Sequence, residues 1–325
     1  MEYIQRYMHI YGKELVMPAN EKRYYSLDDY IKQTFGEKLY KLSLDGGMSC
    51  PNRDGRLGTG GCIFCSAGGS GDFAGNRNSS IKEQLESAKI LVQKKHTGSS
   101  YIAYFQAYTN TYAPVSYLES IFTEAIGEPD VKVLSIATRP DCLPEETLNL
   151  LERLNQIKPI WVELGLQTIH KTSSDFIRRG YELDVFEKAV YDLKKRGISV
   201  VVHTILYLPN ETKDMMLETI SYLNKLPIDG IKLQLLHVLK GTDLANYYKA
   251  VPFHLPDLAE YLETLGCMIS HLRPDIVVHR ITGDGPKALL IAPLWTGNKR
   301  HVLNSIQKYF KDSDIWQGKD YIPPV

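Results

Sequence analysis

Short apolar runs rich in β-branched and aromatic residues recur along the chain, separated by longer stretches with helical spacing. The runs Leu39–Leu44 (LYKLSL), Tyr101–Gln106 (YIAYFQ), Val131–Thr138 (VKVLSIAT), Trp161–Gln167 (WVELGLQ), Val200–Leu208 (VVVHTILYL) and Gly230–Val238 (GIKLQLLHV) predict strands. Ile81–Lys95 places apolar residues at 81, 85, 88 and 92, one face of a helix. Leu143–Asn155 opens with a proline in its first turn and acids beside it, the pattern of a helix start. Phe186–Arg196 and Met215–Leu223 complete the predicted helices, and Gly127, Gly180 and Gly197 fall at their ends or at turns.

Strand alternating with helix predicts repeated βαβ units on a parallel sheet. Right-handed crossovers curl such units into a closed or partial barrel, or wind them both ways into an open sheet, and periodicity does not choose. From about Gly283 the chain reads as an appended strand and helix, too short for an independent domain. The expected organisation is one domain over 1–325, with a core of about 38–285 and a C-terminal extension, 286–325, packed on it.

Composition, 43% hydrophobic and 23% charged, is that of an ordinary globular protein. Lysine plus arginine equals aspartate plus glutamate, 38 against 38, so net charge gives no push toward nucleic acid or membrane; a local basic face stays open. The N-terminal MEYIQRYMHIYGKELVMPANEKRYY has no apolar core followed by a small-residue cleavage site, and no stretch approaches the roughly 20 apolar residues of a membrane span. A cytoplasmic protein with no membrane partner is expected, where clustered thiols stay reduced.

Three of the five cysteines lie in SCPNRDGRLGTGGCIFCSAGG, at Cys50, Cys62 and Cys65, on a glycine-rich loop that follows the first strand. In barrels of βα units the chemistry clusters on such loops, and glycine lets backbone approach a bound group closely. Three clustered cysteines can be unrelated reduced thiols, a zinc site short of its fourth ligand, or a redox CxxC that would not need Cys50. A [4Fe–4S] cluster held by three thiolates, with one iron left open, fits best, although spacing underdetermines the metal. Cys142 and Cys267 are isolated and read as buried structural residues.

A first-strand loop with three cysteines, the last two as Cys-x-aromatic-Cys with Phe64 as the aromatic, followed by βα units, resembles the radical S-adenosylmethionine (SAM) superfamily. The eleven residues between Cys50 and Cys62 are similar to the expanded gap of its Elongator catalytic-subunit-like branch. ELGLQT (Glu163–Thr168), Arg179 twelve residues past Gln167, and YLPNET (Tyr207–Thr212) agree. ATRPDC (Ala137–Cys142), TGDGP (Thr282–Pro286) and APLW (Ala292–Trp295) resemble the YtqA/YhcC-type members. The resemblance covers roughly residues 38–285 and implies a partial (β/α)6 TIM-like barrel of parallel strands, an α/β fold with short N- and C-terminal extensions.

It also implies that Cys50, Cys62 and Cys65 hold three irons of a [4Fe–4S] cluster. The amine and carboxylate of SAM take the fourth, and reductive cleavage gives a 5′-deoxyadenosyl radical. Gln167 and Arg179 are expected against SAM's polar ends, with Phe64, Gln106, Tyr108, Arg139, Glu163 and His203 also lining the cofactor site. Glu163 also reads as part of an internal ion pair, and His203 as a satisfied core histidine. Departures from the family pattern are the run Phe105–Thr111 where many relatives have a glycine-rich turn, Ala137 where some carry an acid, and Tyr207 and Asn210 in place of glycines.

The branch is associated with tRNA wobble-uridine modification. The subgroup implies conversion of a carboxymethylaminomethyl uridine toward its aminomethyl form, with tRNA as partner and a flavodoxin or ferredoxin as electron donor. Trp295 followed by Lys299 and Arg300 offers an aromatic beside cations for a base, and Arg178-Arg179 and Lys194-Lys195-Arg196 add positive charge. Each patch alone also reads as a solvated face beside a core tryptophan. The alternatives are radical SAM chemistry on a small metabolite or protein, and a non-catalytic iron–sulfur or metal-binding protein.

Overall fold

The computed structural model describes residues 22–69, 71–93, 98–283 and 285–323. The N-terminal segment to residue 21, the predicted helix end at Lys94–Lys95, His96, and Asp284 of TGDGP lie outside the described residues.

Seven parallel strands form one sheet in the order β1 (Leu39–Leu44), β2 (Ser100–Phe105), β3 (Val131–Thr138), β4 (Ile160–Gln167), β5 (Ser199–Leu206), β6 (Gly230–Leu235) and β8 (Val277–Arg280). Sequential order with every pair parallel is what right-handed crossovers produce, and the result is a half-barrel of the TIM-like kind. The predicted strand Gly230–Val238 is broken: β6 stops at Leu235, and β7 (Val238–Leu239) leaves the sheet to pair antiparallel with β9 (Leu290–Ala292). A seventh strand, β8, adds to the six expected.

Helices cover the outer face. Ser80 and Glu83 form a reciprocal capping box that starts the helix Ile81–Val92. Pro144 stands one place earlier than its composition predicts, at the N-cap of Glu145–Asn155, after a 3₁₀ turn at Pro140–Cys142. The C-terminal helix Lys299–Asp312 buries Val302, Ile306 and Phe310 in the same core as the sheet-covering helices.

The inner face is layered, because side chains two apart along a strand share a face. At the bottom Leu39, Ile102, Val133, Trp161 and Val201, one from each of five neighbouring strands, pack with Ile31 of the helix Leu27–Phe35 into an apolar plug. Each aliphatic side chain there contributes about 1.5–3 kcal/mol of burial. Two residues further along each strand lie Lys41, Tyr104, Ser135, Glu163 and His203, with Lys232 of β6 joining at the same level. A bulge between β6 and β8 inserts one residue, so that His279 packs edge-on against Trp161 at the level of the plug while Arg280 is in register with Lys232 above. The next inner positions, Ser43, Gln106, Ala137, Gly165, Ile205 and Gln234, carry no charge.

Candidate active site

A cavity of about 430 Å³ opens between the cysteine loop and the inner face of the sheet. Cys50, Cys62 and Cys65 all line it, with Phe64 between them, and all three are free thiols of intermediate exposure.

The loop is shaped by the residues in its long gap. Asn52 is buried and donates from Nδ2 to the Arg178 carbonyl at 2.7 Å and to Cys62 Sγ at 3.4 Å. The Arg53 guanidinium donates to the carbonyls of Cys65 at 3.0 Å and Ser66 at 2.7 Å, tying the second half of the loop to the first. Gly61 has a left-handed φ of 74°, and a Cβ there would meet Arg53 Nε at 2.8 Å. Asp54 is exposed and caps the Arg56 N–H at 3.1 Å.

Tyr108 staples the loop from β2's side. Its N–H donates to the Gly69 carbonyl at 2.8 Å and its hydroxyl to the Ala67 carbonyl at 2.6 Å. Arg53 and Arg77 lie 5.7 and 5.8 Å from its ring centre. A Cβ on Gly69 would stand 2.4 Å from that ring, so only glycine allows the contact. Left-handed backbone in non-glycine residues recurs here, at Tyr108 (φ 59°), Gln167 (φ 63°) and Arg178 (φ 59°). Strain of this kind persists where neighbours over-determine it. Tyr207 (φ 64°) and Asn210 (φ 67°) hold the same conformation.

The sheet supplies the opposite wall. Gln167 follows a bulge in the β4–β5 ladder and lines the cavity at the strand end, with Gln106 on β2's end. Arg179 lines it too, but its guanidinium is spent on backbone: Nη1 donates to the carbonyls of Leu166 (3.1 Å) and Thr168 (2.7 Å), and Nε to Tyr181 (3.1 Å). Arg139 pairs bidentately with Asp141 at 2.9 and 2.8 Å and gives Nη1 to the Arg179 carbonyl, so it braces the loop that carries Arg179. Burial and the neighbouring Cys65 push the Cys62 thiol up to about 12.

Deeper lies the charged layer. Glu163 is 1% exposed, and both oxygens are filled: Oε1 accepts from Lys41 Nζ (2.9 Å) and Ser135 Oγ (2.8 Å), Oε2 from His203 Nε2 (2.7 Å) and Lys232 Nζ. Four acceptor sites with four donors make Glu163 the anchor of a buried network. Burial alone would raise its carboxyl, but the adjacent Lys232 and Lys41 hold it well below the usual range. Burial, helped by Lys232, pushes the His203 imidazole down to about 4, so the ring is neutral and carries its proton on Nε2. Lys232 also donates to the Tyr104 hydroxyl at 3.1 Å.

Trp295 lies outside the cavity lining. Its N–H donates to the Pro256 carbonyl at 3.0 Å and its ring packs 5.4 Å from that of Tyr261, so it serves packing in this structure. Lys299 and Arg300 are exposed at the start of the C-terminal helix, also outside the lining. The other basic pairs seen in sequence are engaged: Arg178 with Asp243 (2.6 Å), Lys194 with Asp229 (2.7 Å), Arg196 with Glu145, while Arg179 is buried. Cys142 is buried, as expected, whereas Cys267 is only half-buried on its helix. Lys41, Tyr104, Ser135, Lys232 and Arg280 were not picked out by motif. A lone cation inside an apolar strand, as in LYKLSL and GIKLQL, is the signal they leave.

Among the described residues no three His, Cys, Asp or Glu side chains close on a single ion. Three free thiols on one loop, all facing the same cavity, are a donor set that would suit a [4Fe–4S] cluster.

The radical SAM superfamily model matches residues 54–223, and the Radical_SAM C-terminal domain model matches residues 228–312. The chain is 44% identical to YtqA of Bacillus subtilis over 92% of its own length and 93% of that protein's. It is 27% identical to the tRNA uridine(34) acetyltransferase of Methanocaldococcus jannaschii, over 56% of this chain and 33% of that one. In structure it resembles the archaeal Elp3 of Methanocaldococcus infernus, with a TM-score of 0.65 and 16% identity, covering 86% of this chain and 64% of that chain.

Proposed function

The chain belongs to the radical SAM superfamily, and we propose that this enzyme acts on the wobble uridine of tRNA, carrying a carboxymethylaminomethyl uridine toward its aminomethyl form. Its cofactors are a [4Fe–4S] cluster and SAM. When bound and reduced, they supply a 5′-deoxyadenosyl radical that takes a hydrogen atom from substrate. Every other part of the task falls to this chain's side chains and backbone.

Cys50, Cys62 and Cys65 would hold the cluster, with Asn52 and Arg53 fixing their loop and Tyr108 pinning its far end. Gln106 and Gln167, neutral side chains that line the cavity at the strand ends, would meet the polar parts of SAM. Arg179 and Arg139 act on that wall by fixing backbone. The half-barrel wall and the loop would cover bound SAM on two sides. A small flavodoxin- or ferredoxin-type protein would deliver the electron.

The observation that carries the uridine reading is the likeness to a protein named for tRNA uridine(34). The test is modified-nucleoside analysis of tRNA from a strain lacking the gene. Carboxymethylaminomethyl uridine is expected to accumulate at the expense of aminomethyl forms, and an unchanged profile rules the reading out. One observation favours a small metabolite or a protein instead: most basic pairs seen in sequence are tied up in ion pairs or buried. The same profile decides between them.

A further inference from the structure

The rim of the cavity beside the cysteine loop carries two neighbouring side chains to which the cofactor chemistry gives no task. Of the exposed large apolar side chains among the described residues, Phe73 alone lines the cavity. It is 58% exposed, and among the described residues no other ring packs on it. A flat ligand laid on an aromatic face in water removes apolar surface from solvent on both sides. Asp72 is also exposed and lines the same cavity. The two carboxylates of the lining differ. Glu163 is saturated by Lys41, Ser135, His203 and Lys232. Asp72 accepts from Ser66 Oγ, at 2.9 and 3.1 Å, and has no cation partner among the described residues.

The segment that carries the pair is fixed on both sides. Upstream, Gly69 accepts from the Tyr108 N–H at 2.8 Å, and Gly71 lies so close to the end of β2 that a Cβ on it would stand 2.5 Å from that of Ala107. Downstream, the Ala74 N–H donates to the Gly71 carbonyl at 2.8 Å and the Gly75 N–H to the Ser43 carbonyl at 3.0 Å. Backbone held this closely against the sheet keeps Asp72 and Phe73 at the rim. Ser66 follows Cys65 directly, so the pair stands at the thiol end of the cavity. Consecutive Cα atoms are about 3.8 Å apart, which puts both side chains within the span of one small ring and its substituent.

We propose that Phe73 and Asp72 form a substrate subsite for an amine carried on a planar ring, with Phe73 stacking on the ring and Asp72 taking the ammonium. An alkylamine is protonated at neutral pH, as lysine is, and a carboxylate with no cation of its own is its match. Stacking tolerates many rings, so the preference for an amine comes from Asp72. That the ring is the uracil of an aminomethyl-type uridine rests on the uridine reading above; the subsite itself does not.

The test uses the full-length protein with its cluster loaded and SAM saturating. Two probe pairs are titrated by calorimetry: 5-aminomethyluridine against 5-hydroxymethyluridine, and benzylamine against benzyl alcohol. Each amine is expected to bind at least about tenfold more tightly than its alcohol, and Asp72→Asn, which still accepts from Ser66, to bring the ratio to within about twofold. Phe73→Ala should weaken every probe by about tenfold with the ratio kept, and Phe73→Tyr should stay within about twofold of the parent. Both side chains are exposed and each has its own variant, so a folding failure in one leaves the other to decide. An absence of amine preference in both pairs, no binding of any probe, or binding unchanged by both Asp72→Asn and Phe73→Ala overturns the subsite. A parallel loss of SAM affinity in both variants assigns the pair to SAM and also overturns it. A preference with the benzyl pair alone upholds the subsite and counts against uridine; a preference with an unchanged tRNA profile does the same.

Discussion

The cysteine loop and the charged layer face each other across one cavity, yet they are built by opposite means. The loop's chemistry is local: Ser49–Gly69 supplies all three thiols, and Arg53 ties it together through the Cys65 and Ser66 carbonyls, with Asn52 and Tyr108 fastening it to the Arg178 carbonyl and to the end of β2. The charged layer is nonlocal: Lys41, Tyr104, Ser135, Glu163, His203, Lys232 and Arg280 come from seven different strands and meet only because the ladders hold their register. On this reading the loop would govern whether the cofactor is held, and the layer the stability of the fold. Substitutions in the two regions should separate these properties.

The largest effect is expected from Cys50→Ala. Iron content drops and SAM cleavage falls to background, while the cluster-free protein unfolds within about 1 kcal/mol of the parent in urea, since a half-exposed side chain is removed. A variant that still cleaves SAM would dissolve the contrast. In the other region Glu163→Ala should cost about 3–5 kcal/mol in urea unfolding, because it strands the buried Lys232 and the partly exposed Lys41 without their countercharge. A loss below about 1 kcal/mol would mean that the layer is not held by its carboxylate.

The third effect is a pH limb belonging to the layer. His203 has its imidazole pushed from 6.5 down to about 4 by burial and Lys232, so the unfolded chain takes up a proton before the folded one does. Stability is then fully present above about pH 6.5 and is lost as pH falls toward 4, by up to about 3 kcal/mol. Glu163, also depressed, extends the loss below its ordinary range in the same direction. His203→Gln should flatten the limb between pH 6.5 and 4 in a series of urea melts. The smallest effect is expected from Asn52→Ala, about 1 kcal/mol of stability for the lost bonds to the Arg178 carbonyl and Cys62, together with faster loss of iron to a chelator. A cluster retained as well as in the parent would show that the loop does not depend on its gap residues.

Of the fold, β1, β2, β3 and β4 were legible within about a residue at each end, because each is a short apolar run bounded by turn residues. The end of β6 was not: GIKLQLLHV is continuous in hydrophobicity, and only the pairing of Val238 with Ala292 pulls β7 away. β8 escaped notice because four residues carry too little periodicity. Glu163 and Gln167 were visible as a motif, but their difference in role was not. One is surrounded by four donors and the other stands on a bulge at the strand end. Arg179 likewise kept its place on the cavity wall, while its donors turned out to serve carbonyls.

By itself the sequence determined the alternation of strand and helix, and a loop with three cysteines and no fourth ligand. Both are written in residues close together in the chain, where spacing alone fixes what can meet. Only the tertiary structure decided that seven polar side chains, spread over some 240 residues, share one level inside the sheet, because a strand's register and a one-residue bulge set which face and depth each occupies.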